Sequence, residues 1–119
     1  NNLEYSQKIF QWCQKEQKKL IYASSAATYG DGKNGFDDQT SCEKLVPLNL
    51  YGKSKLLMDQ WALEQKETPP HWYGVRFFNV FGPNEQHKNE MSSVAYKAFH
   101  QILKTGELGL FKSYHPDYA

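Results

Sequence analysis

Lys19-Leu20-Ile21-Tyr22-Ala23 is the stretch whose reading decides the fold. Its apolar residues form a short continuous run, not an alternating one. A strand covered on both faces of a parallel sheet carries such a run. Upstream, residues 3–18 read as an amphipathic helix. Tyr5, Ile9, Trp12 and Cys13 fall at helical spacing, and Gln7, Lys8, Gln14, Lys15, Gln17 and Lys18 cover the other side. The lysines gather at the C-terminal end, where they suit the helix dipole. Downstream comes Ser24-Ser25-Ala26-Ala27-Thr28-Tyr29-Gly30. Small hydroxyl residues just past a strand's C-terminal end sit where open α/β sheets bind ligands.

Further on, Gly30-Asp31-Gly32-Lys33-Asn34-Gly35 has the letters of the dinucleotide fingerprint G-x-G-x-x-G. The fingerprint needs a helix to begin within its glycines. Phe36 to Ser41 is polar and lacks helical period, so a surface loop is expected. Pro47 discourages helix before it, and Asn49 is a fitting N-cap. A helix should then run from Leu50 to about Lys66, burying Leu50, Leu57, Met58 and Trp61, with Thr68-Pro69-Pro70 as its stop. Residues 72–78 are rich in β-formers and read as a second strand. Residues 91–104 read as a third helix, with Val94, Ala95, Ala98, Phe99, Ile102 and Leu103 on one face. Leu108 to Phe111 reads as a short strand, followed by loop. Helix and strand alternate, so the fold class is α/β, with a layered parallel sheet and right-handed crossovers. The chain opens on a helix and stops in a loop, and reads as the middle of a larger protein.

At 119 residues the chain can hold one modest core. A formal net charge of +1 points to neither nucleic acid nor an anionic membrane. No apolar run is long enough to span a bilayer. Cys13 and Cys42 have no motif spacing, and a reduced, cytoplasmic setting is the simpler reading. No metal-ligand set is assigned.

The chemistry lies in Leu48-Asn49-Leu50-Tyr51-Gly52-Lys53-Ser54-Lys55. On a helix, Tyr51 and Lys55 share a face. A phenol titrates near pH ~10 and is a poor base at neutrality. A nearby cation favours the phenolate, so the pair could move a proton to and from a substrate hydroxyl. The spacing alone is not diagnostic, since it recurs at Tyr29 and Lys33. There the intervening glycines and aspartate hold no helix. Three clusters fall at one edge of the expected sheet: Ser24 and Ser25, Tyr51 and Lys55, and Asn79 with His87 and Lys88.

A serine followed by Y-x-x-x-K resembles the extended short-chain dehydrogenase/reductases that act on nucleotide sugars, a Rossmann-like doubly wound parallel sheet fold. Arg76-Phe77-Phe78-Asn79-Val80-Phe81-Gly82-Pro83 resembles the far more specific R-x-x-N-V-x-G-P signature of that family. The likeness is closest to its ADP-heptose epimerase branch. It rests on Tyr22 to Gly30, Asn49 to Lys55, Phe77 to Lys88 and Met91 to Ala95, and covers essentially the whole chain.

The resemblance implies inversion at C6″ of an ADP-heptose, through transient hydride transfer to bound NADP (NAD as alternative), for lipopolysaccharide inner core synthesis. Tyr51 and Lys88 would serve as acid/base groups on the two faces of that carbon, and Ser25 would orient its oxygen. Asn1, Lys55, Val80 and Lys88 would meet the cofactor, with Lys55 on its ribose. Asn79, Glu90, Lys97, Phe111, Lys112, Ser113 and Tyr114 would line the sugar-nucleotide pocket. Lys97 stands where relatives often have His, and Glu90 where many have Ser. Residues 1–119 would be the central part of the cofactor-binding domain, with 79–119 leading into the substrate region. The glycine-rich phosphate loop would precede Asn1, and the rest of the substrate domain would follow Ala119. The full-length protein would be a homo-oligomer without nucleic-acid or membrane partners.

Two other readings stand beside this one. A nucleotide-sugar 4-epimerase or 4,6-dehydratase would share the chemistry. Dehydratases of the group carry an acidic pair where Ala26-Ala27 stands, and the 4-epimerases lack the His-Lys pair. An inactive binding or assembly module would share only the fold. Intact Ser25, Tyr51 and Lys55 speak against it, although the isolated chain, lacking half the cofactor site, is expected to be inactive.

Overall fold

A computed structural model describes residues 2–109. The chain divides into two compact units, Asn1–Phe78 and Asn79–Ala119.

In the first unit, helix α1 (Asn2–Lys15) leads to strand β1 (Leu20–Ser25) and a 3₁₀ turn over Ala26–Tyr29. A loop with a second 3₁₀ turn at Cys42–Lys44 precedes helix α2 (Leu50–Leu63) and strand β2 (Trp72–Phe77). The two strands pair in parallel, with Leu20 opposite Trp72 and Ser25 opposite Phe77. Alternation along the strands puts Leu20, Tyr22 and Ser24 on one face with Trp72, Gly74 and Arg76. Leu20, Tyr22 and Trp72 pack there against a core of Phe10, Met58 and Ala62, so both helices cover the same face. Phe10, 1% exposed, meets Trp61 and Trp72 edge-on at centroid distances of 5.4 and 5.2 Å. Burying such a ring contributes roughly 1.5–3 kcal/mol. A second cluster of Tyr29, Leu45 and Leu56 seals the loop against α2.

The expected order of helix, strand, helix, strand, helix is found, and Cys13, Met58 and the half-buried Trp61 face the core as expected, but the rest of the buried stripes differ. In α1 the inward residues are Phe10 and Cys13, while Tyr5 and Trp12 are exposed. In α2 they are Gly52, Leu56, Met58, Asp59 and Ala62, while Leu50 is 84% exposed and Leu57 is also exposed. The inward face of α2 mixes Leu56 and Met58 with Gly52, Ala62 and one carboxylate, so apolar spacing finds only part of it. Strand β1 is covered on one face only among the described residues: Ile21, on the other face, is 72% exposed. Helix α1 ends three residues earlier than expected, and Gln17 takes a left-handed φ of 52° just after it. Helix α2 likewise ends at Leu63, before the prolines. The Gly30–Gly35 segment is a loop, with Gly30, Gly32 and Gly35 all at positive φ and no helix starting within it.

In the second unit a 3₁₀ segment over Gln86–Met91 precedes helix α3 (Val94–Thr105). The expected helix from residue 91 thus starts at Val94, because Ser93 takes the N-cap and accepts from Tyr96 N–H at 3.1 Å. Gly106, with a left-handed φ of 75°, closes it. Of the residues expected on one face, Val94, Phe99, Ile102 and Leu103 are exposed among the described residues. The strand expected over residues 108–111 reaches beyond the described residues, and Leu108 and Gly109 are irregular. Among the described residues no helix is long and apolar enough to cross a membrane.

Candidate active site

Asn49 sets the first turn of α2. Its side chain accepts from Gly52 N–H at 2.7 Å, the cap expected from sequence. One turn of helix then places Tyr51 and Lys55 together, with the Lys55 ammonium 5.8 Å from the Tyr51 ring centroid. Tyr51 is 54% exposed, and among the described residues its hydroxyl has no hydrogen-bond partner. Lys55 Nζ donates to the Ala23 carbonyl at 2.8 Å, which ties the helix to the C-terminal end of β1.

Ser25 ends β1 and caps the following 3₁₀ turn. Its Oγ accepts from Ala27 N–H at 3.2 Å, which leaves its own proton free to donate. Gly52 brings the two segments close. A Cβ there would fall 2.6 Å from the Ala27 carbonyl oxygen, so only glycine allows the first turn of α2 to lie against the turn after Ser25. The rejected second pair does not form a face: Tyr29 is buried, and Lys33 pairs with Asp31 on the surface at 2.8 Å.

Beneath these residues lies a polar network that the sequence reading missed. Asp59, one turn beyond Lys55, is buried on α2. Its carboxylate accepts from Tyr22 Oη at 3.0 Å, Ser24 Oγ at 2.8 Å and Arg76 Nε at 3.2 Å. The Arg76 guanidinium also donates to Cys42 Sγ at 3.4 Å and lies 5.1 Å from the Tyr29 ring centroid. Burial, with the Asp59 carboxylate adding to it, pushes the Tyr22 phenol well above its ordinary value. One carboxylate therefore joins β1, α2 and β2 directly behind the Ser25 and Tyr51 segments.

In the second unit Asn79 and Val80 are exposed in an irregular stretch. Lys88 lies in the 3₁₀ segment, its Nζ 3.8 Å from a carboxylate oxygen of Glu85. Glu90 and Lys97 come together at 3.6 Å on the surface. Glu85 is the residue here that sequence reading passed over as mere motif text. It is buried, and backbone N–H donors from Ser93 and Gly82 hold its carboxyl down to about 2, from an ordinary 4.5. Its contribution to this unit is complete above the ordinary value and is lost as pH falls toward 2. Asn1, Phe111, Lys112, Ser113 and Tyr114 lie outside the described residues. Among the described residues no group of His, Cys, Asp and Glu side chains could hold a metal ion.

The sequence model of the NAD dependent epimerase/dehydratase family matches residues 1–117. A Fusobacterium nucleatum ADP-L-glycero-D-manno-heptose-6-epimerase is 47% identical over 117 residues, covering 96% of this chain and 35% of that protein. A Nitratidesulfovibrio vulgaris protein of the same name is 50% identical, over 100% of this chain and 37% of its own length. The crystal structure of the Helicobacter pylori ADP-L-glycero-D-manno-heptose-6-epimerase superposes with a TM-score of 0.69 at 32% identity. The match covers 86% of this chain and 31% of that one. The parallel α/β arrangement is thus part of a Rossmann-like sheet of the extended short-chain dehydrogenase/reductase type. The chain spans about a third of the length of the curated relatives it matches.

Proposed function

Because this chain belongs to the NAD dependent epimerase/dehydratase family, we propose that the whole protein inverts C6″ of ADP-D-glycero-D-manno-heptose to give the L-glycero epimer. One observation supports this most. The Asn49-capped turn sets Tyr51 and Lys55 on one face, and Lys55 is tied to Ala23, two residues before Ser25. In this reading the chain contributes the central part of the cofactor-binding domain, and residues 79–119 lead toward the substrate.

Inverting one carbon requires a proton to be handled on each of its faces. Tyr51 serves one face: it takes the C6″ hydroxyl proton as that carbon becomes a carbonyl, and returns a proton as the alcohol re-forms. Lys88 does the same for the opposite face. Ser25 donates its free proton to the C6″ oxygen and keeps it in place. A bound nicotinamide cofactor, NADP with NAD as the alternative, supplies the reversible removal of hydrogen from C6″. Lys55 fits such a group. It has three N–H donors, and with one on Ala23 two remain for ribose hydroxyls. Asn1 and Val80 complete the cofactor contacts, with Lys88 beside them. Asn79, Glu90, Lys97 and residues 111–114 hold the sugar nucleotide. The setting is the cytoplasm, the product serves the lipopolysaccharide inner core, and the whole protein is a homo-oligomer.

The test is to incubate the whole protein with ADP-D-glycero-D-manno-heptose and follow C6″ by NMR. Appearance of the L-glycero epimer is expected. An unchanged C6″, with turnover of a UDP-hexose at C4 instead, would contradict the substrate assignment.

A further inference from the structure

Glu85 is only 3% exposed, yet every contact of its carboxylate is to a donor. Oε1 accepts from Gly82 N–H at 3.0 Å and from Ser93 Oγ at 2.9 Å. Oε2 accepts from Ser93 N–H at 2.7 Å and lies 3.8 Å from Lys88 Nζ. Ser93 in turn caps α3. The carboxylate therefore closes residues 82–93 into a ring, and Lys88 is a member of that ring. The backbone inside it is held in costly conformations: Asn84 and Asn89, neither of them glycine, take φ of 66° and 46°. Such conformations persist only where the surroundings hold them, and Glu85 ties residue 82 to residue 93 across this segment.

We propose that Glu85 is a positioning residue, which fixes where the Lys88 amine is presented to the reacting carbon. The inference rests on the reading of Lys88 as an acid/base group. A displacement of about 1 Å of such a group costs on the order of 10²-fold in rate, without a matching loss of substrate binding. A side chain that only staples the fold would lower the melting temperature and leave turnover of the folded protein alone.

The experiment uses the whole protein and its epimerisation rate. Glu85→Gln keeps the size of the side chain but removes the charge and one acceptor. It is expected to lower kcat roughly 10- to 100-fold, with KM changed less than about threefold. Ser93→Ala removes one partner of the carboxylate and keeps its charge. Its kcat is expected to fall several-fold, and Ser93→Thr, which keeps the hydroxyl, to restore it. This pair decides the matter if Glu85→Gln does not fold. An unchanged kcat with a lowered melting temperature, or a raised KM alone, would overturn the inference. Lys88→Met separates the two levels. If it is crippled while Glu85→Gln turns over normally, only the positioning role falls. If Lys88→Met itself turns over normally, the acid/base reading falls and takes this inference with it.

Discussion

Tyr51→Phe in the whole protein is expected to lose on the order of 10²–10⁴-fold in kcat while its stability changes by less than about 0.5 kcal/mol. The ring and the hydroxyl of Tyr51 play separate parts. The ring is half open to solvent and stands beside the Lys55 ammonium at 5.8 Å, a contact phenylalanine keeps. Among the described residues the hydroxyl makes no hydrogen bond, so its removal leaves no buried partner unsatisfied. What disappears is the hydroxyl proposed above as the proton carrier. Lys88→Met should show the same pattern, because its ion pair with Glu85 is loose at 3.8 Å and its side chain is 42% exposed. The buried Glu85 carboxylate keeps its donors from Gly82 and Ser93 when Lys88 is removed, so it is not left unpaired. Undiminished turnover in either variant removes that residue from its role.

Asp59→Leu is expected to destabilise the protein by roughly 3–5 kcal/mol, the cost of leaving a buried cation without its partner. Arg76 and Asp59 are both largely shielded, with side chains 15% and 7% exposed. The same substitution strands Tyr22 Oη and Ser24 Oγ, which donate to the lost carboxylate. Asp59→Asn keeps one acceptor and should cost less, about 1–3 kcal/mol. Urea unfolding monitored by tryptophan fluorescence measures both, since Trp61 and Trp72 border Phe10 in the adjoining core. A loss below about 1 kcal/mol for Asp59→Leu would mean that the network does not hold α2 to the strands. Because the first unit is stabilised by only modest clusters, a loss of this size is a large share of the roughly 5–15 kcal/mol typical of native proteins.

Element order, the Asn49 cap and the Tyr51–Lys55 face are legible from sequence because each depends on neighbours within about four residues. A capping side chain and an i, i+4 pair need no tertiary information. The inward faces are less legible. Along α1 the spacing of Tyr5, Ile9, Trp12 and Cys13 competes with that of Leu3, Phe10 and Cys13, and the large aromatic residues outweigh the correct register. On α2 the inward face carries Gly52 and Asp59, which apolar counting excludes by construction. Asp59 is buried because three donors from two strands converge on it, and those donors lie 17 to 37 residues away. Glu85 is hidden for the same reason at shorter range. Nothing in the letters from Gly82 to Ser93 says that one carboxylate will bind both ends.

The most direct measurement uses substrate carrying deuterium at C6″, incubated with the whole protein in ordinary water and analysed by NMR after epimerisation. A C6″ that is oxidised and re-reduced within one site, with Tyr51 and Lys88 moving only hydroxyl protons, keeps its deuterium in the L-glycero product. Retention of the label in all product formed, with product formation slowed by the same 10²–10⁴-fold in Tyr51→Phe, is the predicted result. Epimerised product with hydrogen from solvent at C6″ would mean that a carbon-bound proton is exchanged with water, and would contradict it.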